Sequence, residues 1–71
     1  MKVSVFGAGY VGLVTAVCLA KIGHDAFCVD IDPDRVGRIR AGKSPIFEPG
    51  LEDLIREVQA DGRFRARRSA P

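Results

Sequence analysis

Positions 7–12 read Gly-Ala-Gly-Tyr-Val-Gly, directly after the apolar run Val3-Ser4-Val5-Phe6 and directly before a long apolar stretch. Three glycines at this spacing, between a strand-like and a helix-like segment, leave the backbone few arrangements. Gly7 suits a tight turn out of the strand. Gly9 carries no side chain, so a bound group can come close to the backbone. Gly12 lets the helix lie near the strand it has just left. A helix beginning here presents unpaired N–H groups and the positive end of its dipole, so the turn favours an anion such as a pyrophosphate. The triplet also occurs in ordinary loops, and it gains meaning here because both flanks fit.

The rest of the chain alternates in the same way. Residues 3–6 read as a strand buried on both faces, as parallel strands are. A helix is expected from Tyr10 or Val11 to Ile22, with Val11, Val14, Cys18 and Ile22 as its inward stripe, widened by Leu13, Val17 and Ala20. Gly23 ends it, and His24-Asp25 turn the chain. Residues 26–31 (Ala-Phe-Cys-Val-Asp-Ile) read as a second strand. Asp32 then caps a second helix with Pro33 at its first position, Val36 and Ile39 pointing inward and Gly42 at its end. The loop 43–50 is fixed by Pro45 and Pro49. A third helix carries Leu51, Leu54, Ile55 and Val58, Gly62 closes it, and residues 63–66 open a third strand. Strands alternating with helices imply a parallel sheet.

Asp30 follows Gly12 by 18 residues and stands at the carboxyl end of the second strand. In dinucleotide-binding folds an acid at that place accepts hydrogen bonds from the adenosine ribose hydroxyls. Its charge also repels a 2′-phosphate, and Asp32 and Asp34 reinforce it, so NAD is expected rather than NADP. Arg35 opposes this, since an arginine just past the strand can receive a 2′-phosphate. Asp30 carries more weight because it sits at the strand end itself. Asp32 needs no role beyond its cap. The expected architecture is α/β, the first half of a Rossmann fold, with two to three parallel strands and three helices. It spans residues 1–71 as a truncated dinucleotide-binding domain with a basic tail at 63–71.

Length and charge set the outer limits. The chain has 71 residues, 46% hydrophobic and 28% charged, which is a globular balance. Its net charge is +2, and the tail supplies the excess through Arg63, Arg65, Arg67 and Arg68. No basic face covers the whole domain, so nucleic acid is not an expected partner. No apolar run is long enough to span a bilayer, and Met1-Lys2-Val3 enters a strand without a signal peptide, so a cytoplasmic location is expected. Cys18 and Cys28 form no Cys-x-x-Cys pair and read as buried free thiols. No metal site is expected. His24 lies in a turn away from the strand carboxyl ends and reads as solvated surface.

Four stretches taken together are more specific: 6–13 (Phe-Gly-Ala-Gly-Tyr-Val-Gly-Leu), Gly23-His24, 29–32 (Val-Asp-Ile-Asp) and 44–51 (Ser-Pro-Ile-Phe-Glu-Pro-Gly-Leu). The chain resembles the amino-terminal end of the UDP-glucose 6-dehydrogenase and GDP-mannose 6-dehydrogenase family, up to about Phe64. The resemblance implies an enzyme that oxidises the C6 alcohol of a nucleotide sugar to a carboxylate by two hydride transfers to NAD, through a thioester on a catalytic cysteine. UDP-glucose is the expected sugar nucleotide, as the commoner one in the family. Carried over by position, the phosphate loop falls on Gly7, Ala8, Gly9, Tyr10, Val11 and Gly12, the ribose acid on Asp30, and the basic residue beside the adenosine on Arg35. Neither Cys18 nor Cys28 matches the family's catalytic cysteine, so no catalytic residue is expected in this chain. The ending 67–71 also departs from relatives, which continue into another helix, and reads as a gene fragment or frameshifted product would.

Alternatives follow from the same residues. A 3-hydroxyacyl-type or 6-phosphogluconate-type dehydrogenase shares the opening, though Glu48-Pro49-Gly50-Leu51 argues against it. A non-catalytic interaction fragment would use its open sheet edge or basic tail. The loop 43–50 fits two roles: bordering an active site, or setting the angle at which the third helix begins. In the complete fold the strand order is 3-2-1-4-5-6, so a chain ending at the third strand leaves the first strand with one unpaired edge. Such an edge invites self-association and a marginal fold.

Overall fold

The computed structural model describes residues 1–69; the last two positions of the basic tail lie outside the described residues. Six elements follow in order: β1 (Lys2–Phe6), α1 (Tyr10–Lys21), β2 (Asp25–Val29), α2 (Pro33–Arg40), α3 (Leu51–Ala60) and β3 (Phe64–Arg67). The strands are parallel in the order β1-β2-β3. The expected half-Rossmann architecture is what forms.

The helices begin where local chemistry sets them. Asp32 accepts a hydrogen bond from the Asp34 N–H at 2.9 Å, and Pro33 stands in the first turn, its missing N–H costing nothing there. β2 stops at Val29, two residues earlier than the pattern suggested, and Ile31 is exposed. The ladder nevertheless reaches one residue further, because the Asp30 N–H donates to the Arg67 carbonyl at 3.0 Å. Asp30 therefore does stand at the carboxyl end of its strand.

Ala26, Cys28, Phe64 and Ala66 share one face of the sheet, with Val5 packed beside them. They meet Leu13, Ala16, Val17 and Ala20 of α1, Val36 and Ile39 of α2, and Leu51, Ile55 and Val58 of α3 in a single core. Leu13, Ile39, Ile55 and Phe64 are fully covered, and each contributes roughly 1.5–3 kcal/mol relative to exposure.

Three packing expectations are corrected. The buried stripe of α1 is Leu13, Ala16, Val17 and Ala20, while Val11, Cys18 and Ile22 are exposed. α1 is apolar almost all round, so periodicity alone selects no face. The small residues Gly12, Ala16 and Ala20 decide it, because only that line lets the helix approach the strands closely. Cys18 is consequently an exposed thiol, whereas Cys28 is buried as expected. β1 is not buried on both faces: Lys2, Ser4 and Phe6 are exposed, Phe6 by 71%. The rows Ser4–Phe27–Arg65 and Phe6–Val29–Arg67 lie on the sheet face opposite the helix-bearing core. Arg65 lies over the Phe27 ring at 5.9 Å from its centroid. His24 is half-buried rather than fully solvated, at the start of β2 and thus the far end of the sheet from Asp30.

Candidate functional site

The carboxyl ends of β1 and β2 lie side by side and carry Gly7 and Asp30. The Gly7 N–H donates to the Val29 carbonyl at 2.7 Å, and Gly7 adopts φ +96°, a conformation that a residue with a Cβ rarely takes. The chain turns there and enters α1 through Gly9, an extended N-cap with no side-chain hydrogen bond. Leu13 makes the first intrahelical bond, to the Gly9 carbonyl at 2.9 Å. The N–H groups of Tyr10, Val11 and Gly12 consequently have no acceptor within the helix. They add to the positive end of its dipole.

The glycines divide the work as their spacing implied. A Cβ on Gly12 would sit 2.0 Å from the Gly7 carbonyl oxygen, so no side chain fits between helix and turn. A Cβ on Gly9 would meet nothing within 4 Å, and its φ of −71° suits any residue. Space beside Gly9 is open to a ligand rather than filled by protein.

Asp30 closes the corner. Its Oδ2 accepts from the Ala8 N–H at 2.7 Å and from Arg35 Nη1 at 3.5 Å, and its Oδ1 accepts from the Asp32 N–H at 2.8 Å. The hydrogen bonds from Asp32 and then Ala8, with the nearby Arg35 cation, hold the carboxyl below the usual carboxylate range despite partial desolvation. A carboxylate offers about four lone-pair sites. Three donors occupy it here, so one remains for a ligand hydroxyl, and the long Arg35 contact is the easiest to exchange for a second. Residue spacing pointed to Asp30 as a ligand contact. It did not reveal that Asp30 also ties the end of β2 to the glycine turn, because nothing local to residues 7–12 marks a partner 22 positions away.

Phe6, Tyr10, Val11 and Ile31 flank this corner in the chain and are all largely exposed. Cys28 lies under the turn, its thiol donating weakly to the Gly7 carbonyl at 3.9 Å. Burial first, and then the charge of Asp30, push its pKa up from 9.0 to about 11. It is no nucleophile near neutral pH.

Residues 44–50 of the loop line a separate open pocket of about 540 Å³ together with Glu52 and Asp53. Ser44 Oγ donates to the Ile46 carbonyl at 2.6 Å and accepts from its N–H, while the Ser44 N–H donates to Glu52 Oε1. These bonds tie the loop to the first turn of α3. Of its two readings, setting the start of that helix is the one with visible contacts. Among the described residues no group of three metal-ligating side chains comes together, and no helix is long and apolar enough to cross a membrane.

Over residues 1–71 the chain matches the family described as UDP-glucose/GDP-mannose dehydrogenase family, NAD binding domain. The chain belongs to that family. It is 56% identical over 64 residues to the UDP-glucose 6-dehydrogenase YwqF of Bacillus subtilis, covering 90% of this chain and 14% of that protein. It is 51% identical over 65 residues to the GDP-mannose 6-dehydrogenase of Pseudomonas syringae pv. tomato, covering 92% and 15%. Among solved structures, a ternary complex of GDP-mannose dehydrogenase from Pseudomonas aeruginosa superposes with TM-score 0.92 at 43% identity, covering 97% of this chain and 16% of that one. The UDP-N-acetyl-mannosamine dehydrogenase of Staphylococcus aureus superposes with TM-score 0.95 at 34% identity, covering 99% and 17%. The chain thus spans about a sixth or less of the length of these relatives. The family match sets aside the hydroxyacyl-type and phosphogluconate-type alternatives that the opening motif alone left open.

Proposed function

We propose that this chain is the cofactor-binding corner of a nucleotide-sugar 6-dehydrogenase, with UDP-glucose as the sugar nucleotide. Gly7, Ala8, Gly9, Tyr10, Val11 and Gly12 form the pyrophosphate seat, Asp30 accepts from the adenosine ribose, and Arg35 lies beside the adenosine. The hydrogen bond from Ala8 to Asp30 carries this reading, because it fixes a carboxylate and an anion-favouring turn at one end of the sheet. NAD, once bound, would supply the hydride acceptor. The protein residues named here hold and orient it. Asp30, kept ionised by its donors, favours a ribose diol over a 2′-phosphate.

The oxidation itself we assign to a complete enzyme of which these residues are a part. Cys28 is buried with a raised pKa, and Cys18 lies about 12 Å along α1 from the glycine turn, so neither stands where the cofactor corner would meet the sugar. Two free thiols in one small domain support a reducing, cytoplasmic setting. The unpaired edge of β1 and the exposed Phe6 support self-association of the isolated chain.

Isothermal titration of the wild-type chain and of Gly9→Val with NAD tests the cofactor assignment. The variant keeps its fold, since the position is open and its backbone ordinary. NAD affinity is expected to fall at least tenfold. Equal affinity in a folded Gly9→Val would remove the pyrophosphate from this turn, and any partner binding that survives would then favour an interaction fragment.

A further inference from the structure

Asp32 does more than cap α2. Its Oδ1 accepts from the Asp34 N–H at 2.9 Å, while its other oxygen lies 3.8 Å from Arg35 Nε. Arg35 also reaches Asp30 through Nη1 at 3.5 Å. The guanidinium is therefore held between two carboxylates, one nearly buried and the other half-exposed. Arg35 is the arginine that faces both acids of this corner, and with Nε and Nη1 each turned to a carboxylate, part of its charge and hydrogen-bonding capacity is engaged before a further anion arrives.

We propose that Asp32 is a positioning residue for cofactor selectivity: it detains Arg35 beside Asp30 and so keeps the arginine from rewarding NADP. This rests on the NAD reading above. Asp30 disfavours a 2′-phosphate directly, by its charge, whereas Asp32 acts one step removed, through Arg35. The Asp32 half of this hold follows from local geometry, since residues 32 and 35 are three apart across the first turn of α2, where i and i+3 side chains meet; the Asp30 half depends on how α2 sits against the end of β2.

Asp32→Asn separates this role from the cap, because asparagine caps as well as aspartate does. Far-UV circular dichroism and the melting curve of the variant should match the wild type. The ratio of NADP to NAD affinity is expected to rise roughly two- to fivefold, the range set by an exposed ion pair. Arg35→Ala added to Asp32→Asn should abolish the rise. An unchanged ratio in Asp32→Asn overturns the proposal. So does a rise that survives Arg35→Ala, because Asp32 would then act only as a repelling charge. If the wild-type chain binds neither nucleotide, the NAD reading fails first and this inference falls with it. If the wild type prefers NAD but Asp32→Asn shifts nothing, only the inference fails.

Discussion

Gly9 and Gly12 are the same residue type three positions apart, yet their surroundings demand glycine for unrelated reasons. Gly12 is needed by the protein: a methyl group 2.0 Å from a carbonyl oxygen must force helix and turn apart. Gly12→Ala is expected to cost about 3 kcal/mol, at the upper end for overpacking, seen as a lowered urea midpoint. Gly9→Ala should leave the midpoint unchanged or slightly raised, because alanine narrows the unfolded ensemble at an unstrained position. Two further residues make stability depend on pH. Asp30 has a lowered folded pKa, so its contribution is complete above the ordinary carboxylate value near 4 and is lost as pH falls through the still lower folded value. Asp30→Asn should therefore show a flatter acid limb in a stability–pH profile. Cys28 behaves in the opposite sense. Its folded pKa is raised to about 11, so its contribution is complete below the unfolded thiol value and is lost as pH rises through the folded one. A thiol reagent at pH 8 should label Cys18 in the folded chain and reach Cys28 only after unfolding.

At the scale of elements, chemical signals fixed the boundaries, and hydrophobic spacing placed the inward faces of α2 and α3 but not that of the uniformly apolar α1. Asp32-Pro33 located the start of α2, and Gly23 and Gly62 marked chain reversals with positive φ. The glycine triplet placed the turn, the start of α1 and the end of β2 that faces it. The face of α1 was only partly legible: Leu13, Val17 and Ala20 are buried as expected, but its residues are apolar on nearly every side, and side-chain size rather than polarity turned Val11, Cys18 and Ile22 away from the core. Of the candidate site, Gly7, Gly12 and Asp30 were legible because spacing encodes them. The bond from Ala8 to Asp30 and the double hold on Arg35 were not, since both depend on how β2 and α2 settle against the turn.

Among the described residues the sheet has one face covered by helices and one open face. All three helices contribute to a single core on one side of the sheet, while Phe6, Ser4 and Arg65 remain exposed on the other. The row on the open face that includes Phe6 and Val29 belongs to strands whose composition suits burial. β1, with β2 on one side only, leaves its other edge free among the described residues. The expected result in solution is a concentration-dependent association, read by sedimentation velocity. Phe6→Lys should weaken it while shifting the monomer's stability by no more than about 0.5 kcal/mol, as for other exposed positions. A purified chain that stays monomeric at high concentration and melts with an ordinary mesophile midpoint would contradict the expectation.

The most direct measurement is an amide-resolved NMR titration of the 71-residue chain with NAD and, separately, with NADP. Saturable shifts concentrated at residues 7–12 and 30–35 are expected, with NAD binding more tightly. Shifts confined to the loop at 43–50, or tighter binding of NADP, would contradict the cofactor assignment.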